Sequence, residues 1–222
     1  MFVGADGCKQ GWVAVAVSRD GFVEGAVVDR FAMLLQRYPG ASVVGVDTPV
    51  GLVEQGPRSA DAAARAVLKG RASSVFNAPT RPALNATSYA AASAASREST
   101  GKGLSKQSYN LFDKIRDVDA HALDPRVFEV HPEVAFRVMN EGAPLLSKKT
   151  WGGMQRRLAL LAEQGIAVPA DSDVLAQVGI DDVLDAAACA WSARRIDDGS
   201  AQCLAGEPVQ RMASGRPIAI WA

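Results

Sequence analysis

Four aspartates carry the strongest chemical signal in this chain. Asp6 ends the apolar stretch 2–6 and Asp47 ends the apolar stretch 42–47, and a turn follows each at once. A charge at the end of a buried strand is costly to desolvate, so its presence asks for a partner. Asp182 and Asp185 are three apart on one face of an expected helix, where Ala186, Cys189 and Ala190 keep the surface thin. A thin face lets a helix backbone approach a sheet edge and aim both acids at one point. Oxygens gathered in this way suit Mg²⁺ or Mn²⁺, hard cations that prefer carboxylates and water. Two such ions about 3.5–4 Å apart would clamp the attacking and leaving oxygens of a phosphodiester displacement. Singly, each acid has a plainer account, Asp6 and Asp47 as turn formers and Asp181 and Asp182 as cap and first-turn acids.

Other polar residues group near these in sequence. Val127, Glu129 and His131 alternate onto one face of an expected strand, so Glu129 either reaches the acidic centre as a fifth acid or stands just behind it. His131 suits a proton shuttle or a ligand orienter, and equally a strand-end histidine bonded to backbone. Pro132 followed by Glu133 reads as a helix start. Lys148 and Lys149 precede the expected cap Thr150, where a helix N-terminus also attracts anions, and are the foremost candidates for substrate phosphate. Arg58 and Arg71, in a basic stretch with Arg65, Lys69 and Arg81, are further candidates for phosphate contacts, and Phe76 or Trp151 could stack on a base.

The elements that must position these groups are legible in the pattern. Val-rich and aromatic segments over 2–6, 12–18 and 22–28 predict an antiparallel meander, with an Asp-Gly hairpin signal at Asp20-Gly21. Helical spacing of Phe31, Leu34, Leu35 and Tyr38 follows, stopped by Pro39-Gly40. The continuous apolar run 42–47 predicts a strand buried on both faces. Helices are expected over 59–69, 89–98, 105–122, 150–163 and 181–196, a fifth strand over 127–131 and a short edge strand over 217–221. In such an order strands one and four become neighbours at a topological switch point, the place where ligands bind beyond strand ends.

The chain's 222 residues suffice for one large domain, expected to span 1–222 with an insertion at about 52–122. Hydrophobic residues make up 48% and charged residues 22%, a globular balance. Twenty-four basic residues cancel twenty-four acidic ones, so any site for a polyanion must be local. No apolar run reaches the roughly 20 residues that span a bilayer, and the N-terminus lacks a signal-peptide pattern. Cys8, Cys189 and Cys203 are too far apart for a thiolate zinc site, which together with the rest points to the cytoplasm.

Several motifs, in order along the chain, resemble one family. They are Gly4-Ala5-Asp6-Gly7 with Gly11-Trp12, Val46-Asp47-Thr48-Pro49-Val50-Gly51-Leu52, Arg58-Ser59-Ala60-Asp61 with Arg65, and the stretch 71–79. Gly103-Leu104-Ser105-Lys106-Gln107, Glu129-Val130-His131-Pro132-Glu133, Ser147-Lys148-Lys149-Thr150 and the stretch 182–190 continue the series. Together they resemble the bacterial and archaeal family called domain of unknown function 429. That family is regarded as a predicted ribonuclease-H-like nuclease, so the resemblance implies an α/β fold with a mixed five-stranded sheet, flanking helices and a helical insertion after the fourth strand. Asp182-Val183-Leu184-Asp185-Ala186-Ala187 is also similar to the last-helix acidic motif of Holliday-junction resolvases, which combine it with acids on the first and fourth strands. Asp6-Gly7-Cys8-Lys9-Gln10-Gly11 resembles the phosphate loop of sugar-kinase and actin-type folds, although no second such loop follows.

The expectation is therefore a nuclease or phosphodiesterase. Asp6, Asp47, Asp182 and Asp185 would hold Mg²⁺ or Mn²⁺, an activated water would attack phosphorus, and nucleic acid would be the partner. A phosphotransferase acting on a nucleotide or small metabolite, and a non-catalytic binding protein using the same cleft, are the alternatives.

Overall fold

The computed structural model of the chain describes residues 1–170 and 172–222 and begins with the expected meander. Side chains that suit a pleated surface fill β1 (Phe2–Cys8), β2 (Gly11–Val17) and β3 (Phe22–Val28). Helix α1 (Phe31–Arg37) leads to β4 (Val43–Val46), which is buried throughout. The helices α2 (Ser59–Val67), α3 (Arg81–Asn85), α4 (Tyr89–Thr100), α5 (Lys106–Tyr109) and α6 (Phe112–Asp119) follow. Then come β5 (Val127–Glu129), α7 (Pro132–Met139), α8 (Trp151–Glu163) and α9 (Ile180–Asp197). The one helix expected over 105–122 is thus two. Only α6 presents an apolar stripe, Phe112, Ile115 and Val118, whereas α5 buries no residue and stops after one turn.

The sheet runs β3-β2-β1-β4-β5, antiparallel on the β3-β2-β1 side and parallel on the β1-β4-β5 side. This mixed five-stranded sheet with flanking helices, and a helical insertion after the fourth strand, is a ribonuclease-H-like α/β fold. Strand β1 continues two residues beyond Asp6, because its hairpin with β2 closes only at Cys8 opposite Gly11. Gly11 turns that hairpin at a φ of 130°, a conformation that a side chain would strain. The parallel ladder with β4 is shorter and ends at Ala5 opposite Val46. Asp6 therefore stands one residue past the parallel ladder and does not end the strand.

Two compact units emerge from the packing. The first comprises residues 1–48, 124–203 and 221–222 and holds the sheet; the second comprises 49–123 and 204–220. In the first, one sheet face presents Phe2, Val13, Val15, Val17 and Val43 to α9, with Phe136 and Leu160 from α7 and α8 completing the core. The other face sets Trp12 against Phe31 of α1, ring centroids 5.3 Å apart and edge to face. Helix α9 is buried on every side from Val183 to Ala193, as expected of a helix lodged between a sheet and two further helices. In the second unit Leu52, Leu84, Ala92, Phe112 and Ile115 form a small core of their own. Among the described residues no helix is long and apolar enough to cross a membrane.

Candidate metal centre

Two glycines set how closely α9 approaches the sheet. A Cβ on Gly4 would lie 2.0 Å from both Ala186 O and Ala190 N, and one on Gly45 would lie 2.7 Å from Cys189 O. The helix backbone therefore rests on the strand backbones at these two points. Asp6 and Asp47 stand two residues beyond these glycines, and side chains two apart share a sheet face. Asp185 immediately precedes Ala186 on the helix. The three carboxylates consequently meet, and one oxygen from each lies within 4.8 Å of the others.

Few groups compensate this charge. The Gly7 N–H donates to Asp6 Oδ1 at 2.7 Å, and Lys148 Nζ donates to Asp185 Oδ2 at 2.5 Å. Asp185 is 5% exposed, and its Oδ1 is buried with no hydrogen-bond partner among the described residues. Burial, reinforced by Asp47, Asp185 and Asp182, pushes the Asp6 carboxyl well above the usual carboxylate range. Burial, with Asp185 beside it, does the same to Asp47 against the opposing pull of Lys148. Asp185 rises to about 6, driven by burial and held back by Lys148. Burial alone would lower the Lys148 ammonium, but Asp185 more than offsets it and holds it above its ordinary value. Three carboxylates and one ammonium, when all are ionised, leave a charge of minus two, which one divalent cation would balance.

This set fits a hard divalent ion. Its donors are carboxylate oxygens, and one of them is buried without a partner. Two oxygens on one Mg²⁺ lie about 3–4 Å apart, given bonds of about 2.0–2.1 Å, so the triad needs only slight closing. Asp6, Asp47 and Asp185 would be the holders.

The remaining candidates are not members of the triad. Asp182 lies in the first turn of α9, half-exposed and outside the set of three, and it adds to the negative potential at Asp6. Burial raises its own carboxyl as well. Glu129 is buried and sits in register with Val46, on the sheet face turned away from Gly45; from behind, it raises Asp47 further. His131 is the residue before α7, and its carbonyl accepts the Val134 and Ala135 N–H groups. Lys149 is exposed. Arg58 and Arg71 belong to the second unit, where Arg58 is buried 3.5 Å from Asp61 and the Arg71 carbonyl accepts the Ser74 N–H.

One basic residue takes a role other than the phosphate contact that its place beside Lys148, Lys149 and Arg156 suggests. Arg157 is fully buried, gripping both oxygens of Glu133 at 2.7 and 2.9 Å and stacking 5.3 Å over the Phe136 ring. It also donates to Leu146 O and Gly153 O, which ties down the segment that carries Lys148. The signal was present in the pattern of α8. Gly153, Arg157, Leu160 and Leu161 share its buried stripe, and a charge in such a stripe must find an acid.

The triad also sets a pH dependence. An Asp titrates near 3.9 in an unfolded chain. The three carboxyls titrate higher in the folded chain, which therefore binds more protons, so stability falls as pH rises. For Asp185 the fall runs between about pH 4 and its folded value of about 6, and Asp6 and Asp47, raised in the same direction, add to it. Thermal melts in EDTA should show a lower melting temperature at about pH 8 than at about pH 5. Asp6→Asn should flatten that slope, and an equally steep slope in the variant would contradict the assignment.

Fold and site together define a ribonuclease-H-like α/β protein with a carboxylate triad at the end of its parallel strands, Asp185 buried and Asp6 and Asp47 half-buried. The chain matches the profile of the family described as protein of unknown function (DUF429) over residues 4–210, and it belongs to that family. No curated protein and no solved structure matches it.

Proposed function

We propose that this chain is a metal-dependent phosphodiesterase that cleaves nucleic acid. The observation that carries the reading is the convergence of Asp6, Asp47 and Asp185 within 4.8 Å beyond the parallel strands. Asp182 supplies a further carboxylate at the rim. Bound Mg²⁺ or Mn²⁺ would supply Lewis-acid polarisation of a phosphoryl oxygen and charge stabilisation. The chain's own residues do the rest. Asp185 would hold the ion through Oδ1, which has no hydrogen-bond partner among the described residues. The Lys148 ammonium donates to Oδ2 and has further N–H groups that would donate to a phosphate oxygen of the substrate. Arg157 and Glu133 hold the Lys148 segment in place, so this charge is presented without large reorganisation. Exposed Lys149 would meet a neighbouring backbone phosphate. Cys8, Cys189 and Cys203 are free thiols, which suits a reducing compartment such as the cytoplasm.

The test is cleavage of labelled single-stranded DNA, duplex DNA, branched DNA and RNA with Mn²⁺ or Mg²⁺. At least one substrate should be cut, and Asp47→Asn should slow cleavage by about 1,000-fold or more while circular dichroism stays unchanged. No cleavage of any substrate would overturn the reading, and ATP-dependent stabilisation in its place would favour a phosphotransferase.

A further inference from the structure

The second unit contains a cavity of about 660 Å³ that owes nothing to the acidic triad. Its lining includes Arg58, Arg65, Lys102 and Phe76 with several hydroxyl side chains, and no Asp or Glu among the described residues. Arg65 is set in place by two bonds, Nε to Val75 O at 3.1 Å and Nη2 to Asn77 Oδ1 at 2.5 Å. Those bonds use two faces of a planar five-donor fork and leave Nη1 for another acceptor. Arg58 stands behind the wall, its side chain out of solvent and its Nη1 3.5 Å from Asp61 Oδ1. Asp61 is itself tied to the Ala78 N–H at 2.9 Å, so the acid faces inward beneath the wall while the basic groups serve the cavity.

A second stretch of the lining is also basic and built. Ser96 Oγ donates to Lys102 O at 2.7 Å, which fixes the turn from which Lys102 projects. Gly103 follows, and a Cβ there would lie 3.1 Å from Arg97 Nη2, which places a further guanidinium at this edge. Ser105 and Ser108 join through their hydroxyls at 2.9 Å. Phe76 is half-buried and rests on the unit's apolar core, which gives the cavity one aromatic surface.

We propose that this cavity binds a nucleoside phosphate, with Arg65 and Lys102 on the phosphate and Phe76 against the base. The basic lining, with no Asp or Glu among the described residues, favours an anion. The volume lies within the roughly 300–1,000 Å³ of small-molecule sites and exceeds what a lone phosphate would fill. Arginine and lysine donors suit phosphate oxygens, and an aromatic ring stacks on any base. The site is separate from the triad reading and stands whether or not the chain cleaves phosphodiesters.

Calorimetric titration of the full chain in EDTA with AMP, adenosine and inorganic phosphate tests this. AMP should bind at least about 10-fold more tightly than either fragment. Lys102→Glu, at an exposed position, should weaken AMP by about 10-fold or more, Arg65→Gln should do likewise, and Asp6→Asn should leave binding unchanged. A 5′-phosphorylated tetranucleotide that competes with AMP supports the assignment and identifies a strand end as the natural source. Competition by free nucleotides alone supports it with the free nucleotide as source. Absence of AMP binding at about 5 mM, equal binding of adenosine, or a loss in Asp6→Asn with none in Lys102→Glu would each overturn it.

Discussion

Asp6→Asn should weaken Mn²⁺ binding by about 100-fold or more and, in the same protein without metal, raise the melting temperature. Asparagine keeps the size of the side chain and an oxygen that can accept the Gly7 N–H bond, so the turn after Asp6 survives. What is lost is one carboxylate from a group of three, and it is the one whose proton affinity is raised by burial and by both of the others. Without a cation that loss relieves repulsion and desolvation, and the folded state gains. With a cation it removes one of three charged oxygens and most of the attraction. Ligand at 100 times its Kd stabilises a fold by about 2.7 kcal/mol, and each kcal/mol moves a chain of this size by about 2–4 °C. Melts in EDTA and in MnCl₂ should therefore shift in opposite directions on substitution. A turn-forming aspartate predicts otherwise, because its replacement lowers the melting temperature in both conditions and leaves the Mn²⁺ increment intact. That result would remove the metal site.

Gly4→Val should be the most damaging single substitution in the sheet. The added carbon would sit 2.0 Å from Ala186 O and Ala190 N, and these backbone atoms cannot rotate aside as a side chain would. The helix must lift from the sheet, which exposes Val15, Leu184 and Cys189 at the seam and opens voids in a close-packed core. We expect a loss of about 3 kcal/mol or more by urea denaturation, above the usual cost of overpacking. Lifting α9 also carries Asp185 away from Asp6 and Asp47, so the Mn²⁺ increment in stability should vanish although no carboxylate has changed. Gly40→Ala is the internal control. Nothing lies within 4 Å of its added carbon, and its stability should stay within about 0.5 kcal/mol of the parent. A Gly4→Val protein as stable as Gly40→Ala would show that the seam is not tightly closed.

The local chain determined a good deal by itself. Apolar runs ending in acid marked Asp6 and Asp47; each alone reads equally as a turn former, and only the set of acids together points to a site. The three meander strands, α1 and α9 followed from period, and α8 from period and its Thr150 cap, since a hairpin turn or a capping threonine acts within a few residues. The boundaries were less secure where two partners compete. β1 runs to Cys8 because β2 still pairs there, although β4 has already left.

Tertiary structure alone decided which acids meet. Asp182 and Asp185 share a helix face, and spacing could not tell that Asp185 turns to the sheet while Asp182 stays at the rim; the contact of α9 with Gly4 and Gly45 chooses between them. The same holds for Glu129. Strand alternation divides residues into two faces without naming which is inward, and pairing with Val46 put it behind the triad. By its place beside a helix cap Lys148 suits a phosphate, yet its position 37 residues from Asp185 in sequence becomes 2.5 Å only when α7, α8 and α9 pack together. Asp6 could be recognised from its neighbours in the chain, but its partners are held by long-range packing, which no local pattern encodes.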